Sequence, residues 1–266
     1  MRAVRAIVLK EFTEIIRNPS LIGTSLIPSL IFAFLPFILG MRGASGNGRS
    51  GQLSLAQVSE LVIRVSPELR NLPAPTLGQI FAFRQNAVLM LFVPIITALT
   101  IAVHSVIGEK QSRSLEPLLA APVSSFQLLL AKSLSAAIPA LGLTWILFGI
   151  YFLSIDVFAL PHVLPNVLIP TTLLLVFVIC PLVAVMGLSL GVIVSSQVND
   201  PRTAQQIGGL LVMPVIGLFV AQIQGLYFLT TATVFVGIVV LAILDAIILR
   251  IGVAVFDRET ILLRWK

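Results

Sequence analysis

The five residues GLSLG, from Gly187 to Gly191, match the G-x-S-x-G pattern in which serine hydrolases present their nucleophile. With His104 as the base, this stretch could be interpreted as an intramembrane serine protease. The nucleophile of that pattern, however, stands on a sharp turn between a strand and a helix, whereas this copy lies inside a continuous apolar run. Small residues four positions apart are the usual means of close helix packing in lipid. We therefore interpret GLSLG as a packing element.

Asp245 is the only carboxylate inside a predicted membrane span, and an ionisable residue at that depth is a candidate functional residue. We expect it near the cytoplasmic end of its span, where it can reach the interface or pair with Arg250, and we favour that structural role. His104 and His162 also lie near span ends, so both are expected at headgroup level rather than as metal ligands. The single cysteine, Cys180, excludes an intramolecular disulfide and is expected to be a small buried residue.

The composition shows what kind of element must position these residues. Of the 266 residues, 58% are hydrophobic and 11% are charged, whereas an average soluble domain has roughly 25% charged residues. A bilayer core about 30 Å thick needs roughly 20 predominantly apolar residues per helix, and several runs reach that length without Lys, Arg, Asp or Glu. The net charge of +6 fits orientation by the positive-inside rule and contact with anionic headgroups. The sequence has no basic patch interleaved with aromatic residues, so it does not indicate nucleic-acid binding.

The apolar runs predict an all-α polytopic membrane protein, with residues 1–266 forming a single transmembrane domain. The six predicted spans are 21–40, 86–107, 126–153, 166–194, 207–223 and 230–249. An extracytoplasmic loop, 41–84, separates the first two spans. Its first part is rich in Gly and Ser, and its stretch LAQVSELVIRV has apolar residues at helical intervals and is expected to form a short surface helix.

The first 19 residues are expected to form an amphipathic helix in the plane of the membrane interface. Apolar residues recur there at helical spacing on one face, and charged residues occupy the other face. Its candidate interfacial residues are Lys10, Glu11, Phe12 and Arg17. Scattered charges and the lack of a continuous apolar core argue against a signal peptide. Six spans put both termini on one side, and that side receives most of the Lys and Arg residues. We therefore predict cytoplasmic termini, including the tail 250–266.

The polar stretch GEKQSRSLEPLLAAPVSSFQLL, from Gly108 to Leu129, lies between the second and third predicted spans. Leu115, Leu118 and Leu119 fall at helical spacing, and Pro122 ends the helix after about two turns. Such a helix either docks its apolar face in a groove on a soluble partner or rests on the headgroups as a connector. The spacing alone leaves both interpretations open.

The longer segment GEKQSRSLEPLLAAPVSSFQLLLAKSL resembles the signature of the type-2 ABC transporter permeases, and KEFTEIIRNP and VFDRETILLRWK fit the same family. In this chain, Ser112 to Ser114 lack the glycine that the family frequently has there. The resemblance implies a permease that pairs with a second copy or a paralogue and with two ABC ATPase subunits. It also implies a cytoplasmic coupling helix within segment 108–125. The residues that would contact the ATPase are Glu109, Arg113, Leu115, Glu116, Leu118 and Leu119.

The chain contains no P-loop sequence G-x-x-x-x-G-K-[ST]. We therefore expect ATP and Mg to bind to the partner subunit. We also expect no catalytic, cofactor or metal site in this chain. The resemblance implies an ATP-driven exporter in the cell membrane, with the direction of transport implied by the resemblance alone. The alternative is a secondary transporter or channel driven by an ion gradient, against which the near absence of ionisable residues at mid-membrane counts. The spans do not identify the substrate, although they lean slightly towards hydrophobic cargo.

Overall fold

Helices make up the regular structure of the part that the computed structural model describes, which is Thr13 and residues 19–42, 54–111, 125–223 and 229–255. In chain order they are α1 (Pro19–Arg42), α2 (Leu55–Val65), α3 (Ala74–Asn86), α4 (Phe92–Gln111), α5 (Ser125–Phe158), α6 (Val163–Val167), α7 (Pro170–Leu174), α8 (Cys180–Gln197), α9 (Pro201–Leu211), α10 (Met213–Ile223) and α11 (Thr231–Val255). The 3₁₀ helices are Pro67–Leu69 and Ala87–Leu91, and Leu175–Ile179 is a π-helix. The protein is therefore all-α in its described residues.

Five helical segments among the described residues are long and apolar enough to cross a bilayer. They are Gly23–Arg42, Ala74–Gly108, Ser135–Phe158, Pro170–Gln197 and Thr231–Gly252. This composition makes the chain a multi-pass membrane protein. The second segment is longer than the predicted span 86–107 because APTLGQIFAF extends the helix before Arg84, and Pro75 is tolerated in its first turn.

The predicted span 207–223 is covered by two short helices instead of one long helix. Helices α9 and α10 have 11 residues each and meet at Val212. Pro214, the second residue of α10, lacks the N–H that a continuous helix would use there. An 11-residue helix rises about 16 Å, roughly half of the bilayer core. A sixth crossing therefore stays a prediction.

Helices α4 and α8 pack along each other at the centre of the fold. Ile95, Val103 and Ile107 of α4 have no exposed side-chain area. A Cβ atom added to Gly187 of α8 would lie 2.6 Å from the Ile95 carbonyl oxygen, and one added to Gly191 would lie 2.8 Å from the Ala102 Cβ. Because lipid tails are as apolar as these side chains, such close van der Waals contact is what favours helix association.

Hydrogen bonds between the membrane helices supplement this packing. The Ser29 hydroxyl of α1 and the Thr97 hydroxyl of α4 are 3.0 Å apart. The Tyr151 hydroxyl of α5 donates to the Phe83 carbonyl at 2.9 Å. In the π-helix, which Pro181 follows, the Val176 carbonyl accepts a 3.3 Å hydrogen bond from the Trp145 indole. Each hydrogen bond gives a polar group a partner, which lipid tails cannot provide.

The helix expected over LAQVSELVIRV is confirmed as α2. The Ser54 hydroxyl accepts from the Gln57 N–H at 3.3 Å, and the Gln57 side chain accepts from the Ser54 N–H at 2.8 Å, which forms a complete capping box. Val58 and Val62 are buried on the side of α2 that packs against α3. Residues between the first two membrane helices therefore form an ordered layer at one end of the fold.

Candidate functional site

The structure describes few of the residues that the sequence singles out for contact with an ATPase. Glu109 lies in the last turn of α4, which contains the first four residues of the predicted coupling segment 108–125. Outside the described residues lie Arg113, Leu115, Glu116, Leu118 and Leu119 of that segment, and Lys10, Glu11, Phe12 and Arg17 of the predicted interfacial helix. Both elements stay predictions.

Lys110 fixes the end of α4 to the end of α8. Its ammonium group donates to the carbonyls of Ser195 at 2.7 Å, Ser196 at 2.8 Å and Val198 at 3.2 Å. The last carbonyls of a helix have no partner within it, and a cation at that end also complements the helix dipole. Desolvation by partial burial lowers the pKa of Lys110, while the three carbonyl acceptors favour its charged form. We name this set of hydrogen bonds the Lys110 contact.

The link after α8 joins the Lys110 contact to α9. The Gln111 side-chain amide donates to the Asn199 carbonyl at 3.3 Å. The Asp200 carboxylate then caps α9 by accepting from the Thr203 N–H and from the Thr203 hydroxyl, both at 2.9 Å. These hydrogen bonds, the backbone one first, hold the pKa of the exposed Asp200 below its ordinary value. The last two residues of α4 are thus connected to the neighbouring helices: Lys110 bonds to the end of α8, and Gln111 bonds to the link that leads into α9.

The geometry of GLSLG confirms the packing interpretation. Gly187 and Gly191 approach the backbone of α4 closely. Ser189 lies two residues from each of them, about 200° around the helix, and so faces away from α4. The ring nitrogen Nε2 of His104 is 3.1 Å from the side-chain nitrogen of Gln205 on α9. Since Ser189 faces away from the helix that carries His104, the hydrolase interpretation lacks its base.

Asp245 does not pair with Arg250, which was one of the two structural roles expected for it, and it is buried. It is 5% exposed, and neither carboxylate oxygen has a hydrogen-bond partner among the described residues. Arg250 is exposed instead. Because the apolar residues after Arg250 continue α11 to Val255, beyond the predicted end of the span at 249, Asp245 lies deeper in the helix than expected.

Burial confirms the role expected of Cys180, and the expected position of His162 at headgroup level stays a prediction. Cys180 is a fully buried free thiol in the first turn of α8. His162 is exposed at the start of α6, with a left-handed backbone at φ 70°. Across the described ranges, no group of three or more His, Cys, Asp or Glu side chains could hold a metal ion. The sequence reasoning missed the role of Lys110, for which the GEK tripeptide at the end of α4 was the available signal.

Comparison with known proteins identifies a family that the chain matches. A family model described as ABC-2 family transporter protein matches residues 5–245, which is most of the chain. The matched range includes the segment from Gly108 to Leu129, and it confirms the resemblance based on that segment. No curated protein matches the chain.

Proposed function

The chain belongs to the ABC-2 family of transporter proteins, and from that premise we propose that it is the permease subunit of an ATP-driven exporter in the cell membrane. Members of this family are membrane transport components and are not themselves the ATPase. ATP and Mg then bind to a separate ATPase subunit, and both termini of the permease are cytoplasmic. The full transporter contains two ATPase subunits and a second permease copy or a paralogue, and 207–223 forms its sixth span.

The coupling segment, 108–125, is the proposed ATPase contact. Leu115, Leu118 and Leu119 supply the apolar face, and Glu109, Arg113 and Glu116 flank it. A short amphipathic helix with charged flanks fits the helix-in-groove mode of recognition. In this proposal the amphipathic stretch 1–19 lies in the plane of the membrane interface.

The Lys110 contact is the observation that carries the proposed mechanism. It connects the first turn of the coupling segment to the end of α8, while Gly187 and Gly191 hold α8 closely against α4. Closely packed helices move as a unit, since interdigitated side chains resist continuous deformation. A displacement of the coupling segment by the closing ATPase dimer would therefore move α4 and α8 together relative to the other spans.

Co-purification from native membranes in mild detergent tests the proposal. The variant Leu115→Ser, Leu118→Ser, Leu119→Ser removes the apolar face. The control Leu160→Ser with Leu168→Ser changes two exposed leucines that flank α6. We expect a P-loop ATPase with the wild type and the control, and its loss from a triple variant that still elutes as a folded protein. An ATPase retained by the triple variant would exclude the coupling segment as the main contact.

Asp245 favours one alternative function, transport driven by an ion gradient. A buried carboxylate inside a membrane helix is typical of ion-coupled carriers, and this one has no partner in the part of the chain that is described. In this alternative no P-loop protein would co-purify with any form of the permease. The same experiment therefore separates the two functions.

A further inference from the structure

Asp245 and Ser189 lie on facing surfaces of α11 and α8. A Cβ atom added to Gly237 would lie 3.9 Å from Ile179 Cδ1, and one added to Gly252 would lie 3.8 Å from Ile193 Cγ1. Both contacts advance in the same chain direction, so the two helices run parallel. They also bracket Asp245, which is separated from each glycine by about two helical turns.

The register places the two polar side chains at nearly the same depth. Asp245 follows Gly237 by eight residues, so it lies about level with Met186 of α8. Ser189 is on the same face of α8 as Met186 and Ile193, because spacings of three and four residues share a helix face. At about 1.5 Å per residue, Ser189 lies less than one turn from the level of Asp245.

Both side chains are buried without hydrogen bonds. Asp245 is 5% exposed and Ser189 is 4% exposed. In the described ranges, neither the carboxylate oxygens nor the Ser189 hydroxyl has a partner. A buried polar group without a partner is strongly unfavourable, and an isolated carboxylate far more so, which makes binding of a neutralising ligand favourable.

The charged and titratable groups around this position offer no described neutralising cation. Helix α8 has no charged residue and contributes only the Cys180 thiol, while α7 and the π-helix that also pack against α11 have no titratable side chain. Helix α5 contributes Tyr151, bonded to the Phe83 carbonyl, and the exposed Asp156. Its remaining charged residue is Lys132, whose side chain lies outside the described part.

From this arrangement we propose that Asp245 and Ser189 form an intramembrane proton-binding site between α8 and α11. Mg²⁺ and Ca²⁺ require six or more oxygen ligands, and one carboxylate with one hydroxyl supplies too few. A proton alone neutralises the carboxylate, and Ser189 supplies a hydroxyl at nearly the same depth on the facing helix.

Proton binding makes the interface a two-state element. While α8 and α11 are packed as in this structure, the carboxylic acid is neutral. Separation of the helices admits water, and the proton then passes to a water molecule and leaves an ionised carboxylate. Movement of α8 would therefore be linked to proton uptake and release at Asp245. This inference goes beyond the proposed ATP-driven export and does not require it.

Infrared difference spectroscopy of the purified chain in lipid vesicles at neutral pH tests the site. We expect the wild type minus Asp245→Asn difference to contain the C=O stretch of a protonated carboxylic acid, and Ser189→Ala to shift its frequency. Asp156→Asn, at an exposed carboxylate of α5, is the matched control and should leave that band unchanged. A difference that contains only carboxylate bands would show an ionised Asp245, paired with a cation such as Lys132, and would overturn the proposal.

A second measurement uses the wild type alone, in case Asp245→Asn does not fold. The apolar reagent dicyclohexylcarbodiimide reacts with protonated carboxyl groups, and mass spectrometry locates the product. We expect modification at Asp245 and not at Asp156, and less modification as the pH rises. Modification of Asp156 without Asp245 would contradict the site. Neither measurement involves the ATPase, so failure of the coupling proposal and failure of this one are distinguishable.

Discussion

Lys110 joins the ends of two helices that are distant in the sequence. Its three acceptors, Ser195, Ser196 and Val198, are carbonyls that the end of α8 would otherwise leave to solvent or headgroups. A single side chain thus caps the end of α8 and fixes the first residues of the coupling segment to it. The GEK tripeptide marks a lysine at the end of α4, but its acceptors are identified only by the packing of α4 on α8.

The substitution Lys110→Met tests the Lys110 contact. It keeps the apolar stem and removes the donors, so we expect a loss of about 1–3 kcal/mol of stability, typical of a hydrogen-bonded charged group. Thermal unfolding in detergent measures this change. Lys110→Arg keeps a cation at the same place and should recover part of the loss. Equal melting temperatures for the wild type and Lys110→Met would contradict a stabilising role.

The cap of α9 should respond to acid in a defined direction. Because hydrogen bonds from Thr203 depress the pKa of Asp200 in the folded protein, the contribution of this cap is fully present above the ordinary Asp pKa of about 3.9. It is lost as the pH falls through the lowered pKa. We expect Asp200→Ala to accelerate hydrogen exchange at the Thr203 amide near neutral pH. The difference from the wild type should shrink in acid, and a constant difference would contradict the assignment.

Among the helices, α4 and α8 depend most strongly on a close approach of their backbones. Since a Cβ atom on Gly187 would meet the Ile95 backbone at 2.6 Å, we expect Gly187→Ala to separate the helices and cost about 1–3 kcal/mol. Gly142→Ala on α5 is the matched control, because its Cβ would meet nothing within 4 Å. Thermal unfolding of the two variants measures the contrast. A Gly187→Ala protein as stable as Gly142→Ala would show that the close approach is not needed.

Helices that depend on local sequence patterns were predictable, whereas features that depend on tertiary contacts were not. Apolar runs and the capping box at Ser54 are local, so the long helices and α2 follow from composition and spacing. The GLSLG packing face was also predictable from two glycines four residues apart. The start of α3 and the junction of α9 and α10 at Val212 could not be predicted from such local patterns. The charge of Arg84 suggested a loop, whereas its guanidinium donates to the Asn166 carbonyl at 2.6 Å and is accommodated by tertiary contacts.

At the scale of the whole molecule, the chain is a membrane transport subunit in which one end of the α4 and α8 pair leads to the proposed ATPase contact. Farther along α8, its other face packs on α11 between Gly237 and Gly252, the stretch of α11 that contains Asp245. A movement that begins at residues 108–125 would therefore reach both the packing face and the buried carboxylate. The apolar outer face of α11, which includes Val236, Val239 and Ile243, is exposed in the single chain, as a lipid-facing surface would be.

Site-specific photo-crosslinking in native membranes tests the central claim most directly. A photoreactive residue is placed at Leu118 in the coupling segment and, for comparison, at Leu160 in the link between α5 and α6. We predict that a P-loop ATPase is crosslinked from position 118 and not from position 160, since the two positions lie on opposite sides of the membrane in the proposed topology. An ATPase captured from position 160, or the absence of any P-loop protein at position 118, would contradict the account.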